Sequence, residues 1–193
     1  MTTTEKFKQK KLLILTGPTC SGKTENSIKI AKEFNLDVIA ADSMQIYKKF
    51  NIGTGKPSKH QREIVRHLLI DLIEPNDSFN AWDYMNLSRD LISKPNNIPL
   101  IAGGTQLYIS SMLNGLSDGV SSNKEVRDQI SMEINSKGSH YVYEQLKKID
   151  IEFANKIKPN DKSRIIRAME IYYTKKQKPS VYLKHNPAKA LAN

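Results

Sequence analysis

The 193-residue sequence has a single cysteine and no long apolar run. With Cys20 alone, an intramolecular disulfide is excluded and a reducing compartment is expected. No run is long enough to cross a bilayer, and the lysine-rich residues 1–11 lack the apolar segment of a secretory signal. We therefore expect a cytoplasmic protein without membrane contact. A mitochondrial location is the less favoured alternative, because a mitochondrial signal prefers arginine to lysine.

Acidic residues are also scarce, and recognisable metal-ligand spacing is missing. Twenty Asp and Glu face 30 Lys and Arg, a net charge of +10, and residues 140–193 alone hold 12 basic against 5 acidic residues. Such a basic region is typical of a nucleic-acid partner, although a general lysine bias would produce the same excess. The histidines show no metal-ligand spacing; they are His60, His67, His140 and His185.

A glycine-rich motif of the form GxxxxGKT follows the apolar residues 12–15 and precedes a predicted helix over residues 25–34. In that context the motif is typical of a phosphate-binding loop, or P-loop, whose backbone N–H groups and helix N-terminus cradle phosphates. Its lysine contacts phosphate oxygens and its threonine offers a hydroxyl to Mg²⁺. The predicted pyrophosphate- or nucleotide-binding residues are Gly17, Pro18, Thr19, Cys20, Ser21, Gly22, Lys23 and Thr24.

Apolar runs and helical patterns alternate along the first part of the chain, which predicts an α/β fold with a P-loop-containing parallel sheet flanked by helices. The predicted strands are residues 12–15, 37–41, 68–72 and 98–102. Asn80 is expected to cap a helix that Pro95 ends, and another helix reaches Leu113. Later residues predict only helices, at 124–134, 141–149 and 164–173, the first capped within Ser121–Asn123. We divide the chain into an α/β core (1–119), an inserted all-helical basic segment (120–174) and a tail (175–193).

Polar residues follow two predicted strands, at the sheet edge where α/β proteins bind ligands. Asp42 could ligate Mg²⁺ or act as a base, or simply cap the next turn. Gly103, Gly104 and Thr105 suit an anion or a tight turn. Asp71 could imitate the metal-binding acid of P-loop proteins, but a surface carboxylate is favoured.

Arg164 and Arg167 lie three residues apart on one face of a predicted helix. They could grip phosphates of an RNA backbone. The alternative is an ordinary solvated helix face, and the spacing alone leaves both open.

Five motifs, in this order, resemble those of the tRNA dimethylallyltransferase family and together cover roughly residues 11–179. They are residues 17–24, 41–47, 51–57, 101–108 and 160–170. The resemblance implies transfer of a dimethylallyl group from dimethylallyl pyrophosphate to N6 of adenosine 37, beside the anticodon of tRNA. It implies that the loop holds pyrophosphate, that Mg²⁺ binds at Thr24, and that Lys23, Asp42 and Thr105 are the catalytic residues.

The resemblance also implies contact with the anticodon stem-loop of tRNA, and flipping of the target adenine into a channel. We expect a monomer. The implied tRNA-contacting residues are Asp42, Ser43, Met44, Gln45, Thr105, Arg127, Ser163, Arg164, Ile165, Ile166 and Arg167.

Members of the family continue well beyond residue 193, so the resemblance implies that a C-terminal part is lacking and that independent activity is reduced. Two enzymatic alternatives remain: an adenylate dimethylallyltransferase, and a P-loop kinase of small molecules or nucleotides in which Arg164 and Arg167 are lid arginines. A third is an RNA-binding protein without turnover.

Overall fold

The computed structural model describes residues 12–94, 99–117 and 123–191. Several sequence predictions lie outside these ranges: the polar start of the chain, the helix end at residues 95–97, the strand residue Ile98 and the capping residues Ser121 and Ser122. The helices and strands run in the order β1 (Leu13–Thr16), α1 (Lys23–Phe34), β2 (Val38–Ala40), α2 (Lys59–Ile64), β3 (His67–Leu68), α3 (Ala81–Ser93), β4 (Leu100–Gly103), α4 (Gln106–Asn114), α5 (Lys124–Lys137), α6 (Ser139–Ile149), α7 (Ile151–Ala154), α8 (Lys162–Lys175) and α9 (Pro179–His185).

The chain forms two compact units. The first comprises Met1–Gly115 and Lys189–Asn193, and the second Leu116–Ala188. The predicted tail, residues 175–193, is divided between the two units: α9 lies in the second unit, and the last residues return to the first. There the Leu191 side chain is buried and its N–H donates to the Leu113 carbonyl oxygen at 2.6 Å.

The first unit contains a four-stranded sheet in the order β1-β4-β2-β3, and every pairing is parallel. Leu100 of β4 aligns with Leu13 on one side and Val38 on the other. The predicted parallel sheet flanked by helices is thereby confirmed. Parallel strands need helical crossovers, which cover both sheet faces, and this explains the uninterrupted apolar runs.

Side chains alternate between two apolar clusters on the two sheet faces. Ile39 and Ile101 belong to the cluster that contains Tyr84 of α3 and Met112 of α4. Val38 and Leu100 belong to the other cluster with residues of α1. The site described below lies on the α1 face, which is therefore the face that carries even-numbered residues of β2 and β4.

The third strand is much shorter than the predicted 68–72. Leu69 and Asp71 adopt left-handed backbone conformations, with φ of 60° and 54°. Strand pairing needs extended backbone, so the chain leaves the sheet after Leu68. The apolar run indicated a strand in this region, but it could not show that Leu69 and Asp71 adopt left-handed conformations that end the strand.

The regular elements in the described part of the second unit are all helices, and its core includes Ile130, Leu146 and Ile165. Two of its helices, α7 and α9, were not predicted. Buried Asp150 holds the starts of both, because it accepts hydrogen bonds from the N–H of Phe153 at 3.0 Å and of Ser180 at 2.7 Å. None of the helices within residues 12–94, 99–117 and 123–191 is both long and apolar enough to span a membrane.

Candidate functional site

The glycine-rich loop, residues 17–24, joins β1 to α1 as its motif predicts. Gly22 directly precedes α1 with φ of 75°, a left-handed conformation that glycine adopts without a steric penalty. Lys23 is the first residue of the helix, so the loop presents a helix N-terminus and a lysine together. The Nζ of Lys23 contacts the Pro18 carbonyl oxygen and lies 3.4 Å from Ser21 Oγ. Both acceptors are neutral, so an anionic phosphate oxygen would attract the ammonium group more strongly.

A cleft opens between α1 and the sheet. Both polar and charged side chains and the apolar side chains of Val38, Ala40 and Ala102 line it. Its lining residues are Lys23, Thr24, Ser27, Val38, Ala40, Asp42, Gln45, Pro57, His67, Ala102 and Gly103. The structure therefore brings the predicted loop residues Lys23 and Thr24 to the same cleft as Asp42 and Gln45.

Asp42 both lines this cleft and caps the turn that follows β2. Its Oδ1 accepts hydrogen bonds from the backbone N–H of Met44 at 2.8 Å and of Gln45 at 3.3 Å. The capping role that the sequence left open is thus present. It does not remove the carboxylate from the cleft, so the two interpretations of Asp42 are compatible.

Thr105 is tied to the same turn. Its Oγ1 accepts a hydrogen bond from the Ser43 N–H at 3.0 Å, and its own N–H donates to the Ala41 carbonyl oxygen at 3.0 Å. Residues that are distant in the sequence therefore lie side by side at the carboxyl ends of β2 and β4. At the start of α4, Gln106 Nε2 donates to Thr16 Oγ1 at 2.7 Å and joins the end of β1 to this group.

Gly103 has a packing role that the sequence did not indicate. A Cβ at this position would lie 2.1 Å from the Ala41 carbonyl oxygen, a distance that no side chain tolerates. At Gly104 the nearest such atom is the Gly17 carbonyl oxygen at 3.7 Å, an ordinary contact. The close approach of β4 to Ala41 thus explains why glycine is required at position 103, but it sets no such requirement at position 104.

The loop of residues 51–57 is fastened to the site through two side chains. Gln45 Nε2 donates to the carbonyl oxygens of Thr54 at 3.3 Å and Gly55 at 3.1 Å. Lys56, whose side chain is 2% exposed, donates to the Tyr47 carbonyl oxygen and to Asp71 Oδ1, both at 2.7 Å. The side chains of Gln45 and Lys56 therefore both hold this loop in place. Gln45, a predicted tRNA contact, thus has a structural role as well.

Asp71 takes part in holding the loop of residues 51–57, through Lys56, and is not among the residues that line the cleft. Arg62 donates to its Oδ2 at 2.6 Å, opposite Lys56 on Oδ1. Burial by itself would raise the pKa of Asp71, but the hydrogen bonds from Lys56 and Arg62 outweigh it and hold the pKa below its usual value. Neither the metal-binding nor the surface interpretation describes it, because its role is an ion-pair network.

His67 also lines the cleft, although no sequence pattern indicated a role for it. Its Nδ1 lies 2.8 Å from the Val65 carbonyl oxygen, so that nitrogen carries the proton and Nε2 is an acceptor. Burial is the main cause that lowers the pKa of His67, which keeps the ring neutral at pH 7. Only the pairing of His67 with Val38 of β2 brings it here, and no local sequence signal predicts that pairing.

The remaining predicted RNA-contacting residues lie in the second unit. Ser163 and Arg164 are exposed near the start of α8, and Arg164 Nε pairs with Asp161 at 3.3 Å. Ile165 is completely buried and Ile166 packs against the same core, so a side-chain contact of Ile165 with RNA is ruled out by packing. Arg127 and Arg167 both pair with one carboxylate, that of Glu170.

The model of the family described as IPP transferase matches residues 45–192. The chain belongs to the IPP transferase family. The match begins in the turn at Gln45. It includes the loop of residues 51–57, Thr105 and the second unit, so the family model covers most of both compact units. The resemblance that five sequence motifs indicated is confirmed.

Relatives and solved structures agree with this assignment. The chain is 41% identical to the tRNA dimethylallyltransferase of Alkaliphilus oremlandii over 168 residues, which are 85% of this chain and 54% of that protein. A full-length tRNA isopentenylpyrophosphate transferase from Bacillus halodurans is 35% identical, with a TM-score of 0.55 over 86% of this chain and 56% of that one. A eukaryotic dimethylallyltransferase that acts on tRNA is 28% identical, with a TM-score of 0.75 over 94% and 46%. This IPP transferase chain thus spans about half the length of the relatives that it matches.

Proposed function

We propose that the chain transfers a dimethylallyl group from dimethylallyl pyrophosphate to N6 of adenosine 37 in tRNA. The observation that carries this proposal is the meeting of Lys23, Thr24 and Asp42 at one cleft in a chain of the IPP transferase family. The loop supplies groups for an anionic leaving group, and Asp42 supplies a carboxylate for an amine.

Loss of pyrophosphate is the step that the loop serves. The bond between the allylic carbon and the pyrophosphate oxygen breaks as negative charge develops on that oxygen. The backbone N–H groups of the loop and the Lys23 ammonium group stabilise this charge. The apolar side chains of Val38, Ala40 and Ala102 in the same cleft suit the hydrocarbon end of the donor.

Mg²⁺ fits the oxygen chemistry of the cleft. Thr24 offers a hydroxyl, and Mg²⁺ commonly takes one or two protein oxygens together with phosphate oxygens and water. We propose that Thr24 holds the ion. When bound, it would neutralise charge on the leaving pyrophosphate.

Asp42 serves the acceptor in this proposal. The N6 nitrogen forms the new bond to the allylic carbon, and the proton that N6 loses passes to the Asp42 carboxylate. The two backbone N–H groups on Oδ1 fix the carboxylate, and Thr105 fixes the adjoining Ser43. An adenine inside a stacked anticodon loop must flip out to meet such a group.

The test is a transfer assay with Mg²⁺, dimethylallyl pyrophosphate labelled in the prenyl group, and an anticodon stem-loop that contains adenosine 37. We expect label in this RNA and none in the same RNA with guanosine at position 37. Label in free adenylate instead would favour the adenylate dimethylallyltransferase, and transfer from the γ-phosphate of ATP would favour a kinase. No transfer to any acceptor, with pyrophosphate giving no rise in melting temperature, would contradict the proposal.

Two lysines of α1 provide a matched pair of variants for this assay. Lys23→Ala should lower turnover at least about 100-fold, because it removes a charged donor from the leaving group. It should also reduce the rise in melting temperature with pyrophosphate. Lys29→Ala removes an exposed lysine from the same helix and should leave both measurements near those of the wild type.

A further inference from the structure

Glu170 is a completely buried carboxylate of α8 that the reaction above does not use. Its Oε1 accepts the backbone N–H of Asn123 at 2.9 Å, and Asn123 caps α5 through the Val126 N–H. Its Oε2 accepts a hydrogen bond from Arg167 at 2.7 Å and lies 3.9 Å from a guanidinium nitrogen of Arg127. One buried acid therefore joins the start of α5 to two arginines from different helices.

Both arginines keep a substantial exposed surface. The Arg127 side chain is 40% exposed and that of Arg167 35%, whereas Glu170 is 0% exposed. Their positive charges are drawn to a common point, where they would otherwise repel each other. A buried charge is tolerated when it is paired and hydrogen-bonded, and Glu170 meets both conditions.

A guanidinium that is already held in place loses little conformational freedom when it meets a phosphate. Two arginines held by one buried carboxylate therefore lose less conformational entropy on binding a nucleic-acid backbone than two mobile side chains would. We propose that Glu170 is a positioning residue that holds Arg127 and Arg167 side by side to contact the phosphates of the anticodon stem-loop. The inference rests on the proposed function, because it takes the partner to be RNA.

The experiment measures binding of the whole chain to the adenosine 37 stem-loop at several salt concentrations. Glu170→Gln keeps an oxygen acceptor for the Asn123 N–H but removes the negative charge that pairs with both arginines. Glu144→Gln changes the net charge equally at a side chain of α6 that is 46% exposed. If charge alone mattered, both variants would bind the RNA more tightly than the wild type, since each gains one unit of positive charge.

Positioning predicts the opposite for Glu170→Gln. We expect its affinity to fall about tenfold because the arginines must be ordered on binding. The slope of log K against log salt should decrease by about one, since a phosphate contact is lost. A smaller folded fraction would lower the apparent affinity without changing this slope. Glu170→Gln that binds as tightly as Glu144→Gln, with an unchanged slope, would overturn the inference.

Arg167→Lys provides a test that leaves Glu170 in place, and it decides the matter if Glu170→Gln does not fold. The net charge is unchanged, but a lysine cannot contact Glu170 and a phosphate with the planar fork of a guanidinium. A loss of affinity supports the inference, and wild-type affinity overturns it. A wild-type chain that binds the stem-loop at no salt concentration overturns the proposed function as well. If the wild type binds the stem-loop and Glu170→Gln and Arg167→Lys bind it equally well, only the role of Glu170 is overturned.

Discussion

Asp42 shows how one residue can both cap a turn and line the cleft. Two backbone N–H groups bind its Oδ1, so the side chain is oriented before any ligand arrives. Such an orientation benefits a general base, which must lie within hydrogen-bond reach of the proton that it removes. It also means that a variant without this oxygen would disturb the turn, so a test of the chemistry must keep it.

Asp42→Asn meets that requirement, because the amide oxygen can still accept both N–H groups. We expect the rate of prenyl transfer to fall about 100- to 10,000-fold, the usual contribution of a general base. Binding of dimethylallyl pyrophosphate should stay near that of the wild type, since the base acts on the acceptor. Single-turnover rates and donor titrations check this. An unchanged rate would rule out the base role, and loss of Mg²⁺ binding would favour a metal-ligand role.

At the scale of secondary-structure elements, the ends of β2 and β4 are brought together by a glycine. Gly103→Ala would place a methyl group against the Ala41 carbonyl oxygen, and the turn at Asp42 would have to move. We expect the free energy of unfolding to fall by about 1–3 kcal/mol, the usual result of overpacking. Gly104→Ala is the matched control and should change it by less than about 0.5 kcal/mol. Urea unfolding of the two variants checks this, and equal stabilities would contradict the packing role.

The Lys56–Asp71–Arg62 network holds the loop of residues 51–57 and gives stability a pH dependence. Because the folded pKa of Asp71 lies below its ordinary value of 3.8, the ionised carboxylate stabilises the fold above that value. This contribution is lost as the pH falls through the folded pKa. Asp71→Asn should therefore lower the free energy of unfolding by about 2 kcal/mol at pH 7, and by progressively less below pH ~4.

Urea unfolding at pH 7, 5 and 3 measures this difference. Asp90→Asn removes a carboxylate from an exposed pair with Lys94 and should cost less than about 1 kcal/mol at every pH. A difference between wild type and Asp71→Asn that stayed constant from pH 7 to pH 3 would show that the charge of Asp71 is not the cause.

At the scale of the whole molecule, the chain leaves the first unit at Gly115 and returns to it at Lys189. Arg89 strengthens the return, since it donates to the carbonyl oxygens of Met112 and Lys189, both at 2.8 Å. Leu191 then enters the cluster that contains Ile39 and Ile101. The first unit is therefore completed by residues that precede and follow the second unit in the sequence.

Leu191→Ala tests this dependence. Truncation of a buried leucine leaves a cavity, and we expect the free energy of unfolding of the first unit to fall by about 2–5 kcal/mol. Leu107→Ala, at an exposed position of α4, should change it by less than about 0.5 kcal/mol. Hydrogen exchange of β2 and β4 amides reports on the first unit alone. Unchanged protection in Leu191→Ala would show that this residue does not support the sheet.

Sequence alone determined the features that depend on near neighbours. The alternation of apolar runs and helical patterns predicted the parallel sheet, and the glycine-rich motif predicted the β1–loop–α1 unit. Asn80 and the segment Ser121–Asn123 predicted the starts of α3 and α5, because capping needs only residues two or three positions away. These signals act within a few residues, so they can be read from the chain itself.

Tertiary structure alone decided which distant residues meet. Register between β2 and β4 sets Gly103 against Ala41 and Thr105 beside Ser43. Packing of α8 onto α5 brings Glu170 to Asn123, and the same packing buries Ile165, which the motif alone had suggested as an RNA contact. Helical and strand periodicity give each side chain a direction on its own element, but only packing between elements determines what it contacts.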